Sequence, residues 1–149
     1  METNNGFAND TDENNGEINI SEYDDFKLVD KSNPVIYNQC LSFTVRIAKM
    51  CEYLKKKCIK SGVNDFIPLI EKAFASGTEI GIHVKAMERT KNFDEFYKVV
   101  NKALARSDEF CYWLDALEKC RLLSKQQFIS MAADCDKIKD DLEAFFLRS

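Results

Sequence analysis

After Pro34, apolar residues recur at alternating steps of three and four, and they do so in four separate runs. That spacing lines up side chains on one stripe of a helix, and it does not fit the two-residue alternation of a half-buried strand. The first run carries Ile36, Cys40, Phe43, Ile47, Met50 and Leu54 and stops near Lys60-Ser61-Gly62. The second carries Phe66, Ile70, Ala73, Gly77, Ile80, Val84 and Met87. The third carries Phe93, Phe96, Val100, Ala103, Ser107, Phe110, Leu114 and Leu117, and the fourth Phe128, Met131, Cys135, Ile138, Leu142 and Phe145. Each rod has one stripe to bury, and connections of a few residues favour antiparallel neighbours. The expected fold is all-α, an antiparallel up-down-up-down four-helix bundle over residues 34–149.

The boundaries carry their own chemistry. Asn64 or Asp65 is expected to cap the second helix, with Pro68 tolerated in its first turn. Asn92 followed by Glu95 suits the start of the third. Ser124 with Gln127 forms a capping box for the fourth, with Leu123 placed to staple onto Phe128.

Two glycines in the second helix, Gly77 and Gly81, need a reason, since each costs roughly 1 kcal/mol against alanine in a helix interior. Gly77 lies on the core stripe and Gly81 one turn on. The reading is close packing, with a neighbouring backbone approaching where side chains are missing. Glu79, His83 and Lys85 interrupt the run, which rules out a membrane dimerisation motif. With no preceding strand and no G-K-[ST], a phosphate-cradling loop does not fit either.

Two prolines and five glycines in 149 residues leave little room for an all-β fold. No apolar run approaches the roughly 18 residues of a membrane span. The start, "METNNGFANDTDENNGE", has neither a basic opening nor an apolar stretch, so a cytoplasmic location is expected. Six cysteines, none in C-x-x-C spacing, then read as reduced, small buried residues. The net charge of −4 is unevenly spread. Residues Met1 to Asp30 hold nine acidic side chains and one basic, −8; Lys31 to Ser149 hold 16 acidic and 20 basic, +4. Residues 1–33 are expected to form an acidic, largely disordered arm. Its Ile18, Ile20, Tyr23, Phe26 and Leu28 suit docking on the body or a partner; a purely solubilising tail fits as well.

Chemistry is scarce. A di-metal bundle centre needs two Glu-x-x-His motifs plus further glutamates, whereas this chain has one histidine, His83, at the wrong spacing from Glu79. No cysteines show finger spacing. Nucleophilic catalysis by Cys111 or Cys135 would need that same histidine as base. No metal, no cofactor and no enzymatic activity are expected.

Basic residues offer more. Lys98, Lys102 and Arg106 step by fours along the third helix, and Lys85, Arg89 and Lys91 are expected beside them across the hairpin, a cluster suited to phosphates. Interspersed acids (Glu88, Asp94, Glu95, Glu109) also fit an ordinary solvated face. Lys55-Lys56-Lys57 with Lys60 form a second run. Tyr112 and Trp113 flank core positions; a subunit interface is favoured for Trp113 over a role capping the core. Tyr97 and Tyr112 are expected to be exposed.

The segments "SGTEIGIHVKA" (Ser76 to Ala86), "FDEF" (Phe93 to Phe96) and "EFCYWLDALEKCRLLS" (Glu109 to Ser124) are similar to those of the bacterial four-helix-bundle proteins encoded in intervening sequences of large-subunit rRNA genes. The resemblance runs from about Gln39 to Phe146. It implies a non-enzymatic, cytoplasmic bundle that assembles as a homo-oligomer, typically a homopentamer. More remotely, the chain resembles the accessory variability determinant of diversity-generating retroelements, a basic ring that binds nucleic acid and partners a reverse transcriptase. Two departures stand out. His83 and Lys85 occupy places where the family carries Asn and Glu, and Ala105 and Arg106 replace its usual Lys-Glu pair. The expected function is therefore a non-catalytic oligomeric scaffold that binds RNA, DNA or a nucleoprotein such as a reverse transcriptase through its basic face. The alternative is a protein–protein adaptor with no nucleic-acid contact.

Overall fold

The computed structural model describes residues 34–147, and the acidic arm lies outside them. Four helices account for nearly all of the described chain: α1 Pro34–Ser61, α2 Ile67–Ala86, α3 Phe93–Lys119 and α4 Lys125–Leu147. One-turn 3₁₀ segments, Asn64–Phe66 and Met87–Arg89, lead into and out of α2. No strand occurs among the described residues.

Cross-helix pairs fix the directions. Cys40 lies beside Gly81, Ile47 beside Gly77 and Cys51 beside Ile70, so α2 descends as α1 rises. Phe110 meets Gly77 while Arg106 meets Glu79, reversing α3 on α2. Phe96 packs on Phe145 and Asp108 pairs with Lys139, reversing α4 on α3. Arg46 reaches Asp134 and Ser130, and Lys57 reaches the Leu122 carbonyl, which closes α4 back onto α1. The result is an antiparallel up-down-up-down bundle, with α2 and α3 the most extensively packed pair.

The stripes read from the sequence are the core. Only Met50, Phe66, Phe93 and Phe128 are half-buried instead of buried. On α1 the buried stripe runs through Cys51 and on to Cys58, passing Met50 by; steps of four, three and four from Ile47 keep Cys51, Leu54 and Cys58 on the inner face. The serines inside satisfy themselves locally. Ser76 and Ser107 each donate to the carbonyl one turn back, at 2.9 and 3.0 Å.

Gly77 and Gly81 serve close packing, but the neighbours are side chains. A Cβ on Gly77 would lie 2.5 Å from Ile47 Cδ1 and 2.7 Å from Phe110 Cδ1; on Gly81 it would lie 3.1 Å from Cys40 Cβ. The gap at Gly77 is therefore filled by a large aromatic from α3 and an isoleucine from α1, and the expected backbone approach is not what fills it.

The two outer corners share one hydrogen-bond pattern. Gly62 N–H bonds Ile59 O and Val63 N–H bonds Cys58 O; Arg121 N–H bonds Glu118 O and Leu122 N–H bonds Leu117 O. Both are Schellman ends, with the turning residue left-handed: Gly62 at φ 73° and Arg121 at φ 66°. Arginine there costs roughly 1–2 kcal/mol. The capping box that follows helps hold the corner, with Ser124 N–H to Gln127 Oε1 at 2.9 Å and Gln127 N–H to Ser124 Oγ at 3.1 Å. At α3, Asn92 Oδ1 accepts from Glu95 N–H, while Glu95 reaches back to Lys91 N–H. The expected cap from Asn64 or Asp65 is absent: α2 starts from the 3₁₀ turn with Phe66 in the cap position and no side-chain bond. Pro68 in the first turn removes one donor, which lowers the need for a cap.

Candidate nucleic-acid interface

The α2–α3 hairpin positions most of the expected cations. Its turn falls at Thr90–Asn92, so Arg89 and Lys91 sit at the tip, and Lys98 and Lys102 follow at one-turn intervals on α3. All four are exposed. Among the described residues none of them has an ion-pair partner. The inward residues beside them, Phe96, Val100 and Ala103, are core, so the stripe that turns them inward also turns the lysines to solvent.

Arg106 is different. It lies between Glu79 of α2 at 3.8 Å and Glu109 at 3.1 Å, so two carboxylates neutralise it. Lys85 does not join the cluster. Its ammonium lies over the Tyr37 ring of α1, 5.2 Å from the centroid, and 3.4 Å from Glu88. It faces the α1 side of α2, whereas Glu79 and His83 face α3. The difference is angular: Lys85 lies two residues from His83, on the opposite flank of the helix. The other run is paired only in part. Lys55 pairs with Glu71 at 3.2 Å and Lys56 with Glu52 at 3.2 Å, while Lys57 lies over Tyr53.

His83 sits against this face. Partial burial pushes its imidazole below the usual range, nearby Lys102 pushes the same way, Glu79 opposes them and Arg106 adds to the lowering. A neutral imidazole between two cations is a hydrogen-bonding group that adds no positive charge at neutral pH. Among the described residues there is no cluster of three or more His, Cys, Asp or Glu side chains placed to hold a metal.

Tyr112 is 64% exposed, and Trp113 is half-buried against the core. Their rings meet edge-on at 5.0 Å. Trp113 Nε1–H points to Glu109 at 3.5 Å, and Lys72 of α2 covers its face. Trp113 therefore packs along the α2–α3 seam and Tyr112 projects from it. Tyr97 is not exposed as expected: it stacks on Phe93 at 5.5 Å and meets Phe146 at 5.0 Å, because the start of α3 and the end of α4 share one end of the bundle.

Sequence reasoning missed a second surface. Leu41, Ile59, Phe74 and Ile82 are large apolar residues facing outward, Ile82 at 63% exposure. With Thr44, Ala48 and Thr78 they line two shallow grooves in series between α1 and α2. The signal is a second apolar set on α1 and α2, offset from the core stripe, which a single buried seam per helix does not account for.

No helix among the described residues is long and apolar enough to cross a membrane. No protein-family model matches the chain, and no curated protein matches it. Among solved structures it is similar to a protein of unknown function from the S23 ribosomal protein family of Bacteroides thetaiotaomicron VPI-5482. The two chains share 26% identity with a TM-score of 0.68, over 77% of this chain and 96% of that one. That neighbour is consistent with a small bacterial helical protein.

Proposed function

We propose that this chain is a cytoplasmic, non-catalytic scaffold that binds RNA, DNA or a nucleoprotein such as a reverse transcriptase through the α2–α3 hairpin. The observation that carries the reading is the row Arg89, Lys91, Lys98 and Lys102, gathered on one hairpin, exposed and without ion-pair partners among the described residues, whereas carboxylates pair with Lys55, Lys56 and Arg106. Unneutralised cations at helical spacing are what phosphate contacts use, through the release of condensed counterions. Arg106 and Lys85 play lesser parts, since binding through them requires breaking existing pairs. The solved neighbour's assignment to a ribosomal protein family supports an RNA-facing role. Titration of the full chain with a short RNA hairpin and a DNA duplex over a salt series tests it. Affinity should fall linearly in log–log form with salt; salt-independent binding, or none to either polymer, overturns it.

A homo-oligomer, with a ring of five as the resemblance implies, belongs to the same proposal. Closing copies into a ring multiplies the modest charge of one hairpin and raises the local potential. Tyr112, and Trp113 beside it, remain interface candidates, and native mass spectrometry gives the subunit number. The second reading is an adaptor that captures another protein without nucleic acid. The outward apolar residues of α1 and α2 favour it, since exposed apolar patches mark contact surfaces.

A further inference from the structure

Two thiols on different helices touch. Cys111 of α3 and Cys135 of α4, 24 positions apart in sequence, have their sulfurs 3.6 Å from each other. Both are reduced. A disulfide needs about 2.05 Å between sulfurs, so the remaining gap is within reach of side-chain rotation and a small helix shift. One turn away on each helix, Lys139 Nζ pairs with Asp108 Oδ1 at 2.9 Å, and this pins α3 and α4 at the same level. No other pair of thiols is hydrogen-bonded among the described residues.

The two sulfurs are not equivalent. Cys111 is half-buried, while Cys135 is fully buried and also donates to the Ser107 carbonyl at 3.8 Å. The hydrogen-bonding contact with Cys135 lowers the Cys111 thiol below its ordinary value; burial opposes this, Lys139 assists, and Asp136 and Asp108 oppose. The same contact, and then burial, push Cys135 up, so Cys111, the more accessible sulfur, is the one that ionises more readily. By contrast, burial holds Cys40 up at about 12 and Cys51 at about 11. The thiolate is the reactive form, which separates Cys111 from those two.

We propose that Cys111 and Cys135 form a peroxide-sensitive pair, Cys111 attacking and Cys135 resolving. The Cys111 thiolate attacks one oxygen of hydrogen peroxide. A sulfur–oxygen bond forms, the oxygen–oxygen bond breaks, and the departing hydroxide takes a proton to become water. Cys135 then loses its thiol proton and attacks the sulfenic sulfur. A sulfur–sulfur bond forms, the sulfur–oxygen bond breaks, and a second water leaves. Two thiols lose two electrons, and peroxide is reduced to two waters. The product staples α3 to α4 and shortens the unfolded chain's free loops. This inference is independent of the reading of the basic face.

The test uses the full reduced chain, treated with hydrogen peroxide and then alkylated in denaturant. Four of its six thiols should remain alkylatable, one peptide should join Cys111 to Cys135, and the Tm should rise by several degrees, reversibly with reductant. The single tryptophan, two residues from Cys111, should report closure by quenching. In Cys135→Ser a dione probe should trap sulfenic acid on Cys111; in Cys111→Ser neither crosslink nor adduct should form. Six alkylatable thiols in the treated wild-type chain overturn the proposal, and so does a crosslink through other cysteines. The wild-type measurements stand even if a variant folds poorly.

Discussion

The two flanks of α2 lead to different surfaces. Toward α3 the helix shows Glu79 and His83, and the shared face carries the cations Lys98 and Lys102 with Arg106 held between carboxylates. Toward α1 it shows Phe74, Thr78 and Ile82, and the grooves there mix exposed apolar side chains with Lys85 and the Lys55–Glu71 pair. Both hang on one inner stripe, Ile70, Ala73, Gly77, Ile80 and Val84, which is buried throughout. The core stripe therefore orients the helix while leaving its two flanks free to differ in chemistry.

Removing the charge from one flank should have the largest effect. The variant R89A/K91A/K98A/K102A should lower affinity for a short duplex by on the order of 100-fold at low salt. It should also flatten the slope of log affinity against log salt by roughly 0.9 for each lost phosphate contact. Subunit number by native mass spectrometry should not change. An unchanged salt slope would separate nucleic-acid binding from this face.

The opposite flank is probed by Leu41→Glu with Ile82→Glu. Both side chains point outward, so the fold should persist by circular dichroism while self-association or protein capture weakens by about tenfold or more, as expected when charge enters an apolar contact. Salt dependence of nucleic-acid binding per subunit should stay as it was. Loss of both behaviours together would mean that the flanks form one surface.

Gly77→Ala tests the stripe on which both depend. The added methyl meets Phe110, which is fully buried and has little room to yield. Overpacking of roughly 1–3 kcal/mol outweighs a propensity gain of roughly 1 kcal/mol, so urea denaturation should show a net loss of about 1 kcal/mol. Gly81→Ala, facing Cys40 Cβ at 3.1 Å, should cost less. A stabilised Gly77→Ala would remove the packing account of the glycine.

The smallest effect concerns pH. The folded state holds the His83 pKa below its unfolded value, so the unfolded chain takes up the proton more readily. Stability should be unaffected above the ordinary histidine range, decline as pH falls through it, and level off below the lowered folded value. His83→Gln should remove that increment from a pH series of melting temperatures. If acidification stabilised the wild-type chain relative to the variant, the cationic neighbourhood assigned to His83 would be wrong.

The bundle was legible because burial is periodic. Phe96 through Leu117 and Met131 through Phe145 announce their inner face by spacing alone, and the Ser124–Gln127 box announces its own helix start. Less was legible of the site. The hairpin turn alone sets Lys85 near Lys98 across it, whereas helix rotation carries Lys85 to Tyr37 on the other flank. Tyr97 read as exposed until Phe146, from a distant helix end, covered it. Of the two carboxylates on Arg106, Glu109 is legible at one-turn spacing on the same helix, whereas Glu79 belongs to another rod.

The sequence by itself determined four helices, their inner faces and their antiparallel order, since apolar spacing and short connections act locally and leave few arrangements. Only the tertiary structure decided which cations are neutralised, that Gly77 makes room for Phe110, and that Cys111 lies against Cys135. Those outcomes depend on how each rod is rotated against its neighbours, and the rotation is set by packing between residues far apart in the chain.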